Sequence, residues 1–152
     1  MITIIFEAHS TTLDNEAHRA SGWVDVDLSE LGKKQSIELK DRYQGKALDA
    51  IFTSDLQRAV KSGVPLANEL KIPIYPDARL RECNYGELDG ADKSLVDEQK
   101  KDRLNTPFPQ GESYEDCMAR MKDFLDYLAI NFAGKTVMVI GHRATQYGLE
   151  HH

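Results

Sequence analysis

The sequence predicts the α/β class, as a three-layer α/β/α sandwich with a mostly parallel central sheet. Three observations carry that expectation. Short β-branched and apolar runs alternate with longer amphipathic stretches, the pattern of helices laid on both faces of a sheet. The chain has 152 residues, enough for one substantial core, and no repeat or low-complexity linker divides it. Two apolar runs, one near each end, stop at a histidine, as buried strands do when they deliver polar side chains to one rim.

Each element has its own local reason. Ile2–Phe6 is a strand, and its unbroken apolar run suggests a central, parallel position. Residues 8–27 form a long polar connection in which Ser21-Gly22-Trp23 marks a folded turn. Ser29 caps a helix whose apolar stripe passes through Ile37 and Leu39 and which ends at Gly45-Lys46. Asp49–Ser54 holds the second strand, and Ser54 or Asp55 is expected to cap the next helix, which runs towards Leu70. Lys71–Tyr75 is a short strand near an edge, because Pro73 has no backbone donor.

Residues 77–89 read as a loop, and residues 91–103 as a charged surface helix with a thin apolar face of Leu95 and Val96. Thr106–Gly111 is irregular. Glu112 or Ser113 then opens a long helix to about Phe132, burying Met118, Met121, Phe124, Leu125 and Leu128, and Gly134 closes it. Lys135–Ile140 is the last strand, and a helix begins at Ala144. Residues 1–150 are read as one domain. Leu149-Glu150-His151-His152 fits either the start of a tag or a natural helix cut short, so His151 and His152 carry no functional argument.

Composition bounds the partners. With 41% hydrophobic and 29% charged residues the chain is ordinary for a globular protein. No apolar run is long enough to span a bilayer, and Met1 leads into Ile-Thr-Ile-Ile without a basic region, so neither a membrane span nor a signal peptide is expected. A net charge of −6 argues against broad nucleic-acid binding but leaves room for a local arginine cluster that holds phosphate. Cys83 and Cys117 form neither a metal motif nor a disulfide framework and are read as packing residues, consistent with a reducing cytoplasm.

His9, Ser54-Asp55 and His142 all follow strands, so one sheet rim can bring them together. The helix after Ser54 places Arg58 near its own N-terminus, where an anion would be favoured. Neither a glycine-rich dinucleotide fingerprint nor a P-loop is present.

The ordered segments His9, Ser54-Asp-Leu-Gln-Arg-Ala59, Leu80-Arg-Glu-Cys-Asn-Tyr-Gly86, Phe108-Pro-Gln-Gly-Glu-Ser113 and Gly141-His142 resemble the histidine phosphatase superfamily, also called phosphoglycerate mutase-like. The resemblance covers essentially the whole chain. It implies that His9 attacks phosphorus and is transiently phosphorylated, that Arg58 clamps the phosphoryl oxygens, that Glu82 serves as acid and then base, and that His142 stabilises the transferring group. It implies no metal and no cofactor. The residue types suit this chemistry: a neutral imidazole is a nucleophile, an arginine fork matches phosphoryl oxygens, and a carboxylate shuttles a proton.

Two departures stand out. The family places arginine before the nucleophilic histidine and glycine after it, where this chain has Ala8 and Ser10. Ala8 removes a bidentate cationic clamp. Arg143 is the preferred replacement, with Arg19, Arg79 and Arg81 as the others, and Ser10, Thr11 and Thr12 can add only neutral donors. The family fold also commonly continues further, so an end at His152 predicts a missing sheet edge or pocket wall. The expected activity is hydrolysis of a small phosphorylated metabolite through phosphohistidine, preferred to mutase activity because no long insertion shelters the intermediate. The alternative is a catalytically impaired protein that binds a phosphorylated ligand or inorganic phosphate on the same fold, with a vestigial pocket as a third reading.

Overall fold

The computed structural model describes residues 1–152. In chain order the elements are β1 (Thr3–Ala8), α1 (Leu13–Glu16), β2 (Arg19–Ala20), α2 (Glu30–Tyr43), β3 (Ala50–Thr53) and α3 (Gln57–Leu70). They continue with β4 (Ile74–Pro76), β5 (Ala91–Asp92), α4 (Lys93–Gln99), α5 (Tyr114–Asn131), β6 (Thr136–Gly141) and α6 (Arg143–His151). The main sheet has the order β1-β6-β3-β4, every pair parallel, while β2 and β5 form a small antiparallel ribbon apart from it.

Strand alternation divides the core into two layers. Ile51, Met138 and Ile140 face Leu39, Ala59 and Leu66 from α2 and α3. Ala50, Phe52, Val137 and Val139 face Met121, Phe124 and Leu128 from α5. The predicted three-layer α/β/α sandwich is therefore the observed one. Phe52 meets Phe124 and Phe132 edge-on at ring separations of 5.5 and 5.0 Å, and its burial contributes about 2 kcal/mol. No helix is long and apolar enough to cross a membrane.

Several local expectations are corrected. β1 is parallel but lies at a sheet edge and is only half-buried; β3 and β6 are the buried central strands. Its apolar run signalled burial by helices above and below, which an edge strand can also receive. The stripe of α2 runs through Gly32, Ser36 and Leu39, leaving Ile37 exposed, because the 3.6-residue period puts 36 and not 37 in line with 32 and 39. The polar connection after β1 folds into α1, capped reciprocally by Thr12 and Asn15, and then β2. Ser29 caps α2 as expected, and of the two residues expected to open α5, Ser113 is its cap.

Neither Ser54 nor Asp55 caps α3. The Asp55 carboxylate is held by both arms of Arg81, and Ser54 turns to His142. The carboxylate of Asp25, from the loop before α2, accepts from the Gln57 amide instead and fills the place of the anion expected at this helix end.

Candidate active site

Parallel pairing brings the two strand-end histidines together. Ala8 lies opposite Gly141, and the His9 amide donates to the Gly141 carbonyl at 3.0 Å. The His9 and His142 rings then stand 5.0 Å apart, tilted by 52°. Between β1, α4 and the loop after β2 a cavity of about 320 Å³ opens, and His9, Arg58, Glu82, His142 and Arg143 all line it. Five cationic side chains (Arg19, Arg58, Lys93, Lys100, Arg143) face only two carboxylates there, Glu82 and Asp97. In a chain of net charge −6, that local excess favours an anion.

Each histidine has one nitrogen engaged. Nδ1 of His9 is 2.7 Å from the Ser10 carbonyl, which can only accept, so Nδ1 carries the proton and Nε2 keeps its lone pair. Burial, reinforced by the Arg58 charge, lowers the His9 pKa to about 4. His142 is also held well below the ordinary imidazole value, by burial first and then by His9 and Arg58. Both rings are therefore neutral at pH 7. Nε2 of His142 is 2.6 Å from Ser54 Oγ, while its Nδ1 is buried without a partner.

Arg58 is only 2% exposed and forms no ion pair. Nη1 donates to the Val24 carbonyl at 2.8 Å and Nη2 to the Gly22 carbonyl at 2.7 Å, which fixes the fork. Burial lowers its pKa and the charges of Glu82 and Asp25 oppose this, but a guanidinium stays protonated in any case. Gly22 is required here: its φ is +53°, and an added Cβ would lie 1.8 Å from Asp89 Oδ1.

Glu82 sits against the start of α6. Oε1 accepts from the Cys83 and Ala144 amides at 2.8 and 3.1 Å, and Oε2 from the Arg143 amide at 3.2 Å. The four residues expected to share a site thus line one cavity.

Other candidates divide. Arg143 lines the cavity, as does Arg19, whose Nη1 donates to the Gly90 carbonyl. Arg79 and Arg81 do not: they pair with Asp77 and Asp55, and Arg81 also lies over the Trp23 ring at 4.6 Å. Ser10 is not brought to the cavity either. Its amide is tied to Ser62 Oγ at 2.8 Å, and it lines a separate cleft of about 230 Å³ against α2. The Thr11 amide binds Gln35 and Thr12 caps α1, so this turn is braced by its polar groups. Cys83 and Cys117 are fully buried free thiols; a hydrogen bond to Cys117, then burial, raises the Cys83 pKa. In α4 only Val96 is buried, and Lys93, Asp97 and, just past its end, Lys100 line the cavity.

Sequence reasoning missed Arg120. From α5 it donates to both Glu112 oxygens, at 3.0 and 2.9 Å, and to the carbonyls of Arg79, Arg81 and Glu82. It therefore fixes the loop that carries Glu82. The available signal was an arginine three residues after Cys117 and four before Phe124, on the buried face of its helix. Arg120→Met is expected to cost about 3 kcal/mol, because three carbonyls and a half-buried carboxylate lose their donor. Chemical unfolding would show it as a lowered denaturant midpoint at unchanged slope; an unchanged midpoint would refute it.

A 2,3-bisphosphoglycerate-dependent phosphoglycerate mutase of Staphylococcus carnosus is 38% identical over 104 residues, covering 65% of this chain and 46% of that protein. The mutase of Streptococcus gordonii is 36% identical over a stretch of the same length. The chain spans about half the length of the curated relatives it matches. Among solved structures, Bacillus stearothermophilus YhfR superposes with a TM-score of 0.85 at 28% identity, covering 99% of this chain and 78% of that one. A mycobacterial glucosyl-3-phosphoglycerate phosphatase, complexed with VO3, gives 0.84 at 25% identity, covering 95% and 78%. The family model for the histidine phosphatase superfamily (branch 1) matches residues 4–149, from the first strand to the last helix, and the chain belongs to that superfamily.

Proposed function

We propose that the chain hydrolyses a small phosphomonoester through a phosphohistidine on His9. One observation carries this reading: a neutral histidine with a free Nε2 stands beside a second histidine and a buried, fixed arginine in a cationic cavity. Nε2 of His9 attacks phosphorus as the ester oxygen leaves, and Glu82 supplies that oxygen with a proton. Water then attacks the phosphohistidine, giving its proton to Glu82 and releasing inorganic phosphate and free His9. Arg58, His142 and Arg143 hold the phosphoryl oxygens. Family membership supports phosphoryl chemistry, and the similar phosphatase complexed with VO3 favours an oxyanion site. The proposed setting is the reducing cytoplasm, which suits two free thiols.

Ala8 supports the second reading, an impaired phosphate binder, because it presents only a methyl group to the cavity. A generic aryl phosphate and a panel of phosphorylated metabolites separate the two. The hydrolase reading expects turnover by the wild type and a further gain of about tenfold or more in Ala8→Arg, which adds a cationic donor. Phosphate binding without wild-type turnover, but with turnover restored by Ala8→Arg, would replace it with the impaired reading.

A further inference from the structure

We infer that Trp23 is a positioning residue that sets Glu82 at a fixed place relative to Arg58; its meaning for catalysis rests on the phosphoryl-transfer reading above. Trp23 does not line the cavity. It stands between Gly22 and Val24, the two residues whose carbonyls take the Arg58 fork. Its own indole Nε1–H donates to the Glu82 carbonyl at 2.8 Å. One three-residue segment therefore touches the clamp through its backbone and the proton donor through its side chain.

A second set of contacts closes the circuit. The guanidinium of Arg81, the residue before Glu82, lies over the Trp23 ring at 4.6 Å and donates to both oxygens of Asp55, at 2.6 and 2.7 Å. Asp55 stands just before α3, three residues ahead of Arg58. The Trp23 amide also donates to Asp89 Oδ2 at 3.2 Å, and Asp89 Oδ1 accepts from the Tyr85 amide at 2.9 Å. An indole has one donor, no acceptor and a flat face on which a guanidinium can stack, and this one uses both features.

The circuit matters because Arg58 and Glu82 come from different segments. Both arms of the Arg58 fork bind carbonyls, and the Glu82 carboxylate binds backbone amides. Glu82 must nevertheless deliver its proton to the oxygen leaving a phosphoryl group that Arg58 holds, so their relative placement enters the barrier. Arg120 shares the Glu82 carbonyl, but its other bonds run to Glu112 and to the carbonyls of Arg79 and Arg81, not to the segment that fixes Arg58. Trp23 makes that connection.

Trp23→Phe keeps a ring under Arg81 and removes the N–H. Hydrogen exchange in the full chain reads the placement without reference to activity. The Arg143 and Ala144 amides open α6 and donate to the Glu82 carboxylate, so their exchange reports on it. Trp23→Phe should speed that exchange about tenfold and leave the Val139 amide of β6 unchanged. The chemistry is read from kcat/KM, which covers phosphorylation of His9. An alkyl leaving group needs the proton of Glu82 more than a nitrophenolate does. Trp23→Phe should therefore lose about tenfold on an alkyl phosphate and less than about threefold on p-nitrophenyl phosphate, and it should add no further loss on the alkyl ester in a Glu82→Gln background. A merely structural residue would lower both esters by the same factor. Equal losses, or unchanged exchange at Arg143 and Ala144, overturns the assignment. So does rapid exchange of the indole N–H in the wild type, whose one tryptophan needs no variant to be read. If the wild type turns over no phosphomonoester yet the two amides respond to Trp23→Phe, the hydrolase reading fails and the placement of Glu82 by Trp23 holds.

Discussion

His9→Gln is expected to reduce turnover of any phosphomonoester by at least about 10⁴-fold, because the variant has no nucleophile. Glutamine keeps a polar side chain of similar reach, and Arg58, His142 and Arg143 still line the cavity. Inorganic phosphate should therefore bind within about tenfold of wild type, since those contacts do not depend on a nucleophile. Acid-quenched wild-type enzyme should carry an acid-labile phosphoryl group and the variant none. Retention of turnover would place the attacking atom elsewhere.

The same substitution has a stability signature. In the unfolded chain His9 takes up a proton near its ordinary value of 6.5, whereas the folded protein resists protonation until about pH 4. Between these values the unfolded state binds more protons, so stability falls as pH falls, by roughly 3 kcal/mol across the window. Above pH 6.5 both states are neutral at this group and it contributes no slope. His142 is shifted in the same direction and adds to the acid loss. Urea midpoints at pH 7 and pH 4.5 should therefore diverge strongly in the wild type and less in His9→Gln. Equal divergence in both would show that His9 is not buried neutral.

The sequence exposed those parts of this molecule that depend on local chemistry. Strand runs, the Ser29 cap and the amphipathic face of α5 follow from side-chain period and hydrogen-bonding capacity, and they are found as expected. Ordered segments also revealed four residues that line one cavity. What stayed hidden depends on partners remote in sequence. Ile2–Phe6 looked central because hydropathy records contact with helices above and below, not the number of neighbouring strands. Ser54 looked like a helix cap because the same hydroxyl can bond an amide or an imidazole; only the strand order puts β3 beside β6. Ser10 looked like a phosphate donor by adjacency to His9, but the chain turns after β1 and sends it towards α2. Arg79 and Arg81 were available as clamps until the fold supplied Asp77 and Asp55.

Arg58→Met is the second substitution with a large expected effect, and it acts on binding and folding at once. Turnover should fall about 10²- to 10³-fold, the usual consequence of losing a donor aimed at developing negative charge. Stability should fall by about 2 kcal/mol, since the Val24 and Gly22 carbonyls lose their donor while the cost of burying a cation is relieved. Arg58→Lys keeps the charge but not the planar fork, so it should fall between the two in turnover and still loosen the loop.

A purely structural arginine would predict otherwise: kcat/KM well below the melting temperature would be unchanged in both variants. Ligand linkage separates the cases further. Arg58 is buried, charged and bonded only to carbonyls, with no carboxylate in contact. Such a charge is incompletely compensated until an anion arrives. Inorganic phosphate at a hundred times its Kd should then stabilise the wild type by about 2.7 kcal/mol, and Arg58→Met by much less at the same concentration. Equal stabilisation of both would mean that phosphate binds at the exposed lysines and arginines of the rim, leaving the arginine beside the two histidines with a folding role alone.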